Sequence, residues 1–497
     1  MKVVNYNYKD ITHLSFMTED GNIIVKDIKE LEYPYFLGIP DRNKKFSDVE
    51  IAHIEHTEKL EIPYLTQTGV KKADGYRVFV YIPKNVPELR PKFTMTFEAN
   101  IPYIRRLAYD NVIEWSPKVT RYADIDIEER KGEIELIGYI DSIDNEYIPF
   151  YSINDFLDTL KKRKILEIYA WNGESYDFKR LNNIIKDEYF KHILKLDAMI
   201  YYSIFNQRSP RTLNLAGKEN GIGTKIPITK PFNSLTKEEM EIYNKQDVNI
   251  QKGVLDKLGI RDIIHNYSNT YALHPLEIYS SGTNKGFQVR ASATRIFDSI
   301  MIRDYKPRVY LLDTAHSEKE SEYQGGFVLE PEKGLYSNIA GFDYNSLYPN
   351  VIIYSDYDNY VYNILKDIEK NKYNQRKELK KKYEITGDKY YDTAQATAKI
   401  SINSLYGIFG NPYFRYHNTD VASHITSYAR QMITKMIDFI KQQGYNVIYG
   451  DTDSCFVSDI SKEEAQELLV KLNKEISPFE VKLDKYFIKM LFYGDSS

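Results

Sequence analysis

Short stretches of alternating apolar and polar residues open the chain. Asn22-Ile-Ile-Val25 and Tyr76-Arg-Val-Phe-Val-Tyr-Ile82 predict strands, joined across residues 1–105 by polar, proline-containing connections. The same period of two returns in Tyr122-Ala-Asp-Ile-Asp-Ile-Glu-Glu129, with Asp124, Asp126 and Glu128 on one face and Ile125 and Ile127 on the other. Ile168-Tyr-Ala-Trp-Asn-Gly-Glu-Ser-Tyr-Asp177 reads as a strand, a glycine-containing turn and the start of a helix. A helical period takes over in Glu239–Val248, where Tyr243 and Asp247 share a face, and again in Ser292–Met301. Ile339-Ala-Gly-Phe-Asp343 is a strand with a carboxylate at its end. Two helices follow, Asn363–Lys382 and Tyr391–Phe409, turned by Thr386-Gly-Asp388, and then a helical pair over Tyr428–Gln443. Tyr445-Asn-Val-Ile448 and Cys455-Phe-Val457 flank Tyr449-Gly-Asp-Thr-Asp-Ser454, the pattern of a β-hairpin with an acidic tip. The predicted fold class is α+β and multidomain, with an α/β region where strands and helices alternate.

Composition narrows the class. A chain of 497 residues with 42% hydrophobic and 28% charged content is of globular type, long enough for roughly three domains. No apolar run approaches the ~18 residues of a membrane span, and there is no signal-peptide pattern at the N-terminus. The single cysteine, Cys455, excludes an internal disulfide framework. A net charge of −4 provides no global field for nucleic acid, so any phosphate binding must come from local cations. The 44 tyrosines suit wet apolar surfaces and base-stacking platforms.

The candidate chemistry is carried by carboxylates. Asp451 and Asp453, two apart, repel each other unless a cation lies between them. As a tetrapeptide, Gly-Asp-Thr-Asp is also an ordinary turn. An acidic strand face at 124–128 fits either a solvated edge strand or a site. With Asp177 at a strand–helix junction and Tyr243 and Asp247 on a helix, it supplies what a two-metal phosphodiesterase requires. Lys399, Asn403 and Tyr406 fall on one helical face, and Arg376 and Lys380 lie one turn apart on the preceding helix, the makings of a cationic hairpin. Tyr323-Gln-Gly-Gly326 reads as a boundary loop. His53, Glu55 and His56 are more economically surface residues than a metal cluster.

In this order the segments resemble the motifs of family B DNA polymerases from about residue 76 onward. Asp343-Tyr-Asn-Ser-Leu-Tyr-Pro349 is similar to motif A, Lys399-Ile-Ser-Ile-Asn-Ser-Leu-Tyr-Gly407 to motif B, and Tyr449–Ser454 to motif C. Asp126–Glu128, Asn172…Tyr176-Asp177 and Tyr243…Asp247 resemble the three proofreading exonuclease motifs, with Asp126–Glu128 taken in preference to Asp124–Asp126. Tyr323–Gly326 resembles the loop joining the exonuclease and polymerase parts. The resemblance implies an accessory domain over 1–105, an RNase H-like 3′–5′ exonuclease over 106–265, a connecting segment over 266–322, palm over 323–362 and 413–497, and helical fingers over 363–412. It further implies Mg²⁺ in both centres, two ions each, with Mn²⁺ as the alternative ion. Asp343 and Asp453 would ligate the polymerase ions, with Asp451 beside them. Asp126, Glu128, Asp177 and Asp247 would hold the exonuclease ions, with Tyr243 orienting water. Arg376, Lys380 and Lys399 would neutralise the dNTP phosphates, and Asn403 and Tyr406 would line the nascent pair. Ser346 and Leu347 would adjoin the nucleotide, and Tyr348 would stack under its sugar and exclude a 2′-hydroxyl.

The short intervals between motifs favour the branch that extends nucleic-acid primers. After Phe487-Ile-Lys-Met-Leu-Phe-Tyr493 the sequence ends at Ser497 with neither a Lys-x-Tyr motif nor a thumb. The expectation is therefore a split polymerase: primer–template DNA and dNTPs as substrates, a second polypeptide supplying the thumb, and a sliding clamp as a further partner. Expected location is the cytoplasm of a bacterial or archaeal cell, or virus-encoded in the host cytoplasm. The alternatives are a 3′–5′ exonuclease of single strands and a non-catalytic assembly subunit.

Overall fold

A central mixed sheet delivers the first group of carboxylates. In the computed structural model, which describes residues 1–206, 212–281, 289–305, 307–313, 325–331 and 333–493, its strand order is Tyr147–Phe150, Glu133–Asp141, Tyr122–Arg130, Glu167–Ala170, Leu194–Asp197. The first three strands pair antiparallel and the last three parallel. The chain gathers into two compact units. One comprises Met1–Tyr64, Lys71–Asp313 and Leu379–Ile400, the other Leu65–Val70, Thr314–Glu378 and Ser401–Ser497.

In the first unit the acidic strand Tyr122–Arg130 is the middle strand, not a solvated edge. Ile125 and Ile127 are buried on one face, and Asp124 is buried on the other. A lone buried carboxylate costs several kcal/mol. Here Arg261 Nη2 donates to both Asp124 oxygens at 2.7 and 2.6 Å, and Gln251 Nε2 donates at 3.0 Å. The Arg261 guanidinium lies over the rings of Tyr122 and Tyr169, at 4.3 and 4.8 Å from their centroids. Local sequence puts Arg261 there. Thr236 and Glu239 form a capping box that starts the helix Lys237–Leu258, and Gly259 ends it in a left-handed conformation (φ 62°). The chain turns at once into the helix Ile260–Tyr271 and carries Arg261 back onto the sheet. Beside it, His265 Nε2 and Glu167 Oε2 lie 3.1 Å apart, and the Tyr169 hydroxyl donates to the same oxygen at 2.9 Å.

Two four-stranded sheets complete the regular β-structure of the N-terminal stretch, in the orders 23–27, 13–18, 2–8, 114–115 and 54–66, 69–80, 35–40, 93–97. Glu98, fully buried, accepts from Arg106 Nη2 at 3.0 Å and Arg308 Nη2 at 2.6 Å, tying this stretch to residues 308–313. His53 pairs with Glu88 and His56 with Glu55, and no metal cluster forms there among the described residues.

The second unit is built on an antiparallel sheet in the order 328–329, 446–451, 454–458, 334–344, 481–492. The expected helical pair over 428–443 is one amphipathic helix, Thr419–Gln442. It buries Val421, Ile425, Met432, Met436 and Ile440 at helical spacing. The two helices read before it are Tyr360–Thr386 and Lys389–Leu405, separated by Gly387 at φ 66°. Among the described residues no helix is long and apolar enough to cross a membrane.

The buried Asp124–Arg261 pair generates a stability prediction. Arg261→Leu leaves Asp124 buried and unpaired and is expected to cost roughly 3–5 kcal/mol, read as a lower urea midpoint. Asp124→Leu combined with Arg261→Leu is expected to recover most of that loss. An unchanged midpoint in the single variant refutes the pair's role.

Candidate active sites

The first centre is assembled from four elements of the first unit. Asp126 and Glu128 stand on the middle strand, which pairs Asp126 with Gly138. A Cβ at Gly138 would fall 1.6 Å from Asn244 Oδ1, so this glycine lets the helix 237–258 approach the sheet. Asn244 Nδ2 then donates to Asp126 Oδ2 at 2.9 Å and Glu128 Oε1 at 3.3 Å, while its own oxygen accepts from the Tyr147 hydroxyl at 3.0 Å. On the same helix, Asp247 pairs through Oδ2 with Lys225 Nζ at 2.6 Å, and that ammonium lies 5.3 Å from the Tyr243 ring centroid. Asp177, the first residue of the helix Asp177–Ile184, accepts from the Ile127 amide at 3.1 Å. Asp197 holds the preceding loop by accepting from the amides of Asn172 and Glu174 at 3.1 Å each.

Crowding shapes the protonation of this centre. Burial, then Asp177, Glu128 and Asp247, raise Asp126 well above the usual carboxylate range. Burial pushes Glu128 up to about 7, opposed by the Asn244 donor and reinforced by Asp247. Burial likewise pushes Asp177 up to about 7 against the Ile127 amide. Asp247 is raised by burial although Lys225 pulls the other way. Lys225 is itself raised, the Asp247 carboxylate outweighing the burial of the ammonium. Among the described residues no three acidic, histidine or cysteine side chains converge on one point as a chelate. Like charges separate, and Lys225 and Asn244 supply the compensating donors. The residues nevertheless fit a hard divalent cation. All the donors are carboxylate oxygens, and Asp247 Oδ1 is buried without a hydrogen-bond partner.

The second centre lies in the second unit. Strands Asn446–Asp451 and Ser454–Ser458 pair Asp451 with Ser454, leaving Thr452 and Asp453 as a two-residue loop, with Thr452 at φ 54°. Because of that turn the two aspartates do not continue one extended strand. Asp451 is exposed and accepts from Thr452 Oγ1 at 2.8 Å, whereas Asp453 precedes Ser454, the residue paired with Asp343, and is less exposed. The Asp453 carbonyl accepts from the Tyr344 amide at 2.9 Å, which fastens the loop to the end of the Asp343 strand. Burial, then Asp343, push Asp453 up to about 6. Burial raises Asp343, with Lys482 opposing. Lys482 Nζ lies 3.3 Å from Asp343 Oδ1 and 2.9 Å from Asp484 Oδ1.

The remaining candidates are placed as follows. Ser346 adopts φ 59° ahead of the helix Leu347–Tyr354, and Leu347 is buried in the core. Tyr348 stacks on Tyr406, centroids 4.4 Å apart and planes at 15°. Tyr406 lies just past the helix that carries Lys399 and Asn403. Arg376 and Lys380 stand on the helix 360–386, with Arg376 half-buried and its Nε without a hydrogen-bond partner. Of the loop Tyr323–Gly326, Tyr323 and Gln324 lie outside the described residues. Gly325 accepts from Arg430 Nη1 at 2.7 Å, and a Cβ at Gly326 would come 3.5 Å from the Tyr348 hydroxyl.

These placements can be compared with known proteins. The family model for DNA polymerase family B matches residues 287–389 and 360–494. A DNA polymerase of Thermococcus sp. (strain 9oN-7) is 21% identical over 97% of this chain and 76% of its own length. One of Archaeoglobus fulgidus is 23% identical over 97% of this chain and 73% of its own. The solved family B DNA polymerase of Pyrobaculum calidifontis superposes with a TM-score of 0.75 at 18% identity, over 99% of this chain and 79% of that one. Residues 287–494 match the model of DNA polymerase family B, and the fold of the chain is similar to that of a solved member of that family. Around the two centres, Lys225, Asn244, Asp197 and Lys482 were not marked from the sequence. Asn244 had a signal: three of the eight residues that this helix buries, Asn244, Asp247 and Gln251, are polar and follow one another at helical spacing. Lys225 sits in a loop and had none.

The raised carboxylates set a pH dependence. Asp177 and Glu128, pushed up to about 7, and Asp453, pushed up to about 6, keep protons in the native chain that the unfolded chain releases near pH 4. Native protein therefore binds more protons than unfolded protein between about pH 4 and 7, and the metal-free chain loses stability as pH rises through that window. Magnesium favours the ionised forms. The gain in melting temperature on adding it in place of EDTA is expected to be larger near pH 8 than near pH 5.5. An equal gain at both values counts against ion binding at these carboxylates.

Proposed function

We propose that the chain is the catalytic polypeptide of a DNA-directed DNA polymerase that extends a primer 3′ end with dNTPs and proofreads it with a 3′–5′ exonuclease. The observation that carries this reading is the hairpin 446–458, which pairs Ser454 with Asp343 and fastens the Asp453 carbonyl to the Tyr344 amide, so that Asp453 lies beside the end of the Asp343 strand. In that centre, Asp343 and Asp453 are the oxygens that would hold Mg²⁺. When bound, the ions supply charge stabilisation for the attacking and leaving oxygens of in-line phosphoryl transfer. Tyr348, held flat against Tyr406, presents a rigid floor for a nucleotide sugar. Arg376, with a partly buried unpaired donor, Lys380 and Lys399 are the groups to neutralise the triphosphate.

The exonuclease reading rests on the first centre. Asp126, Glu128, Asp177 and Asp247 would hold the ions, and Tyr243 stands one turn from Asp247 on the same helix, where its hydroxyl can orient water. Asn244 orients the Asp126 and Glu128 carboxylates, and Lys225 opposes the effect of burial on Asp247.

The two activities are separable on a labelled primer–template and on a labelled single strand. Asp453→Asn is expected to lose extension by about a thousandfold or more and still to degrade single strands. Asp126→Asn is expected to do the reverse. A wild-type chain that degrades single strands yet extends no primer, even at low salt, defeats the polymerase reading and leaves the exonuclease. Tyr348→Ala is expected to incorporate ribonucleotides more readily. Unchanged discrimination would remove Tyr348 from the sugar site.

A further inference from the structure

The polymerase centre contains a cation of its own. Strand Val481–Phe492 runs antiparallel to Gly334–Tyr344 and puts Lys482 directly opposite Asp343. A directly opposed pair of unlike charge is favourable, and it brings the lysine side chain over the carboxylate. The register then slips. Gly341 faces Lys485 and Phe342 faces Leu483, so Asp484 is the extra residue of a β-bulge, without a cross-strand partner. Bulges re-aim side chains next to active sites. This one brings Asp484 Oδ1 to 2.9 Å from Lys482 Nζ, closer than the 3.3 Å between Lys482 Nζ and Asp343 Oδ1. One ammonium thus stands between two carboxylates, a site aspartate and an aspartate set beside it.

We propose that Lys482 is an internal counter-cation that competes with a divalent ion for Asp343 and withdraws to Asp484 when that ion binds. The inference rests on the reading of Asp343 and Asp453 as ion-holding residues. In the ion-free chain, Lys482 offsets the repulsion between Asp343 and Asp453. Once an ion occupies Asp343, the ammonium is repelled, and Asp484 gives it a partner without a change of backbone. Lys482 and Asp484 are partly exposed, at 48% and 36% of their side-chain surfaces, so the exchange needs only rotamer changes. The device makes ion binding at this centre weaker and reversible until substrate phosphates add their own charge.

The test is titration of the full chain with Mn²⁺, without DNA or nucleotide, followed by calorimetry. Asp126→Asn and Asp247→Asn are included throughout to silence the other centre. Binding at the polymerase centre is defined as what Asp343→Asn removes. Lys482→Met is expected to bind roughly tenfold tighter, since a positive charge a few Å from the ion is gone. Lys482→Arg is expected to stay close to wild type. Asp484→Asn is expected to weaken binding about threefold, because the ammonium then has only Asp343 to hold. In the Lys482→Met background that penalty is expected to vanish, as it must if Asp484 acts through Lys482. Equal affinities for wild type and Lys482→Met overturn the proposal. A penalty for Asp484→Asn that persists without the lysine overturns the role given to Asp484 and makes it a direct ligand. No Mn²⁺ binding sensitive to Asp343→Asn in any variant defeats instead the underlying assignment of an ion to Asp343.

Discussion

Burial raises the cost of ionising a carboxylate, and both acidic centres of this chain are arranged around that cost. In the first, burial drives Asp126, Glu128, Asp177 and Asp247 toward their protonated forms, reinforced at Asp126 by Asp177, Glu128 and Asp247 and at Glu128 by Asp247. In the second, Asp453 is driven the same way by burial and by Asp343. Folding into such a state is unfavourable in itself. The chain offsets it locally with Lys225 on Asp247, Asn244 across Asp126 and Glu128, and Lys482 on Asp343.

The scaffold serves these positions with ordinary devices. A glycine at 138 lets a helix close on the sheet so that Asn244 reaches the strand carboxylates. A glycine at 259 ends that helix so that Arg261 can return to neutralise Asp124. A two-residue loop with Thr452 at φ 54° takes Asp453 out of the strand of Asp451 and lets its carbonyl accept from the Tyr344 amide. A bulge at Asp484 gives Lys482 a second partner. Each is a local backbone choice with an electrostatic result.

Asp124 shows why a strand pattern alone was ambiguous. Its alternation with Asp126 and Glu128 marked a single acidic face, and nothing in the spacing separates a structural carboxylate from a functional one. The distinction lies in partners remote in sequence. Asp124 is paired with Arg261 and Gln251, whereas Asp126 faces Asp177 and Glu128. Likewise, the acidic face suggested an edge strand only as long as the strand order was unknown. The order makes it the middle strand, buried on both sides.

From the sequence alone came the existence of the strands and helices, the chain order of the motifs and the family they resemble. Those features are periodic or contiguous, and local sterics and side-chain alternation are enough to write them. Asp343, Asp453, Asp177 and Asp247 could be singled out as candidates because each sits at the end of an element or on a helical face that the pattern marks. The tertiary structure alone decided that the Asp453 loop is fastened to the end of the Asp343 strand, that Lys225 and Lys482 pair with Asp247 and Asp343, and that Asp124 is spent on Arg261. These depend on turn handedness, strand register and burial. Such quantities arise only when segments far apart in the chain are brought within a few Å and their charges begin to interact.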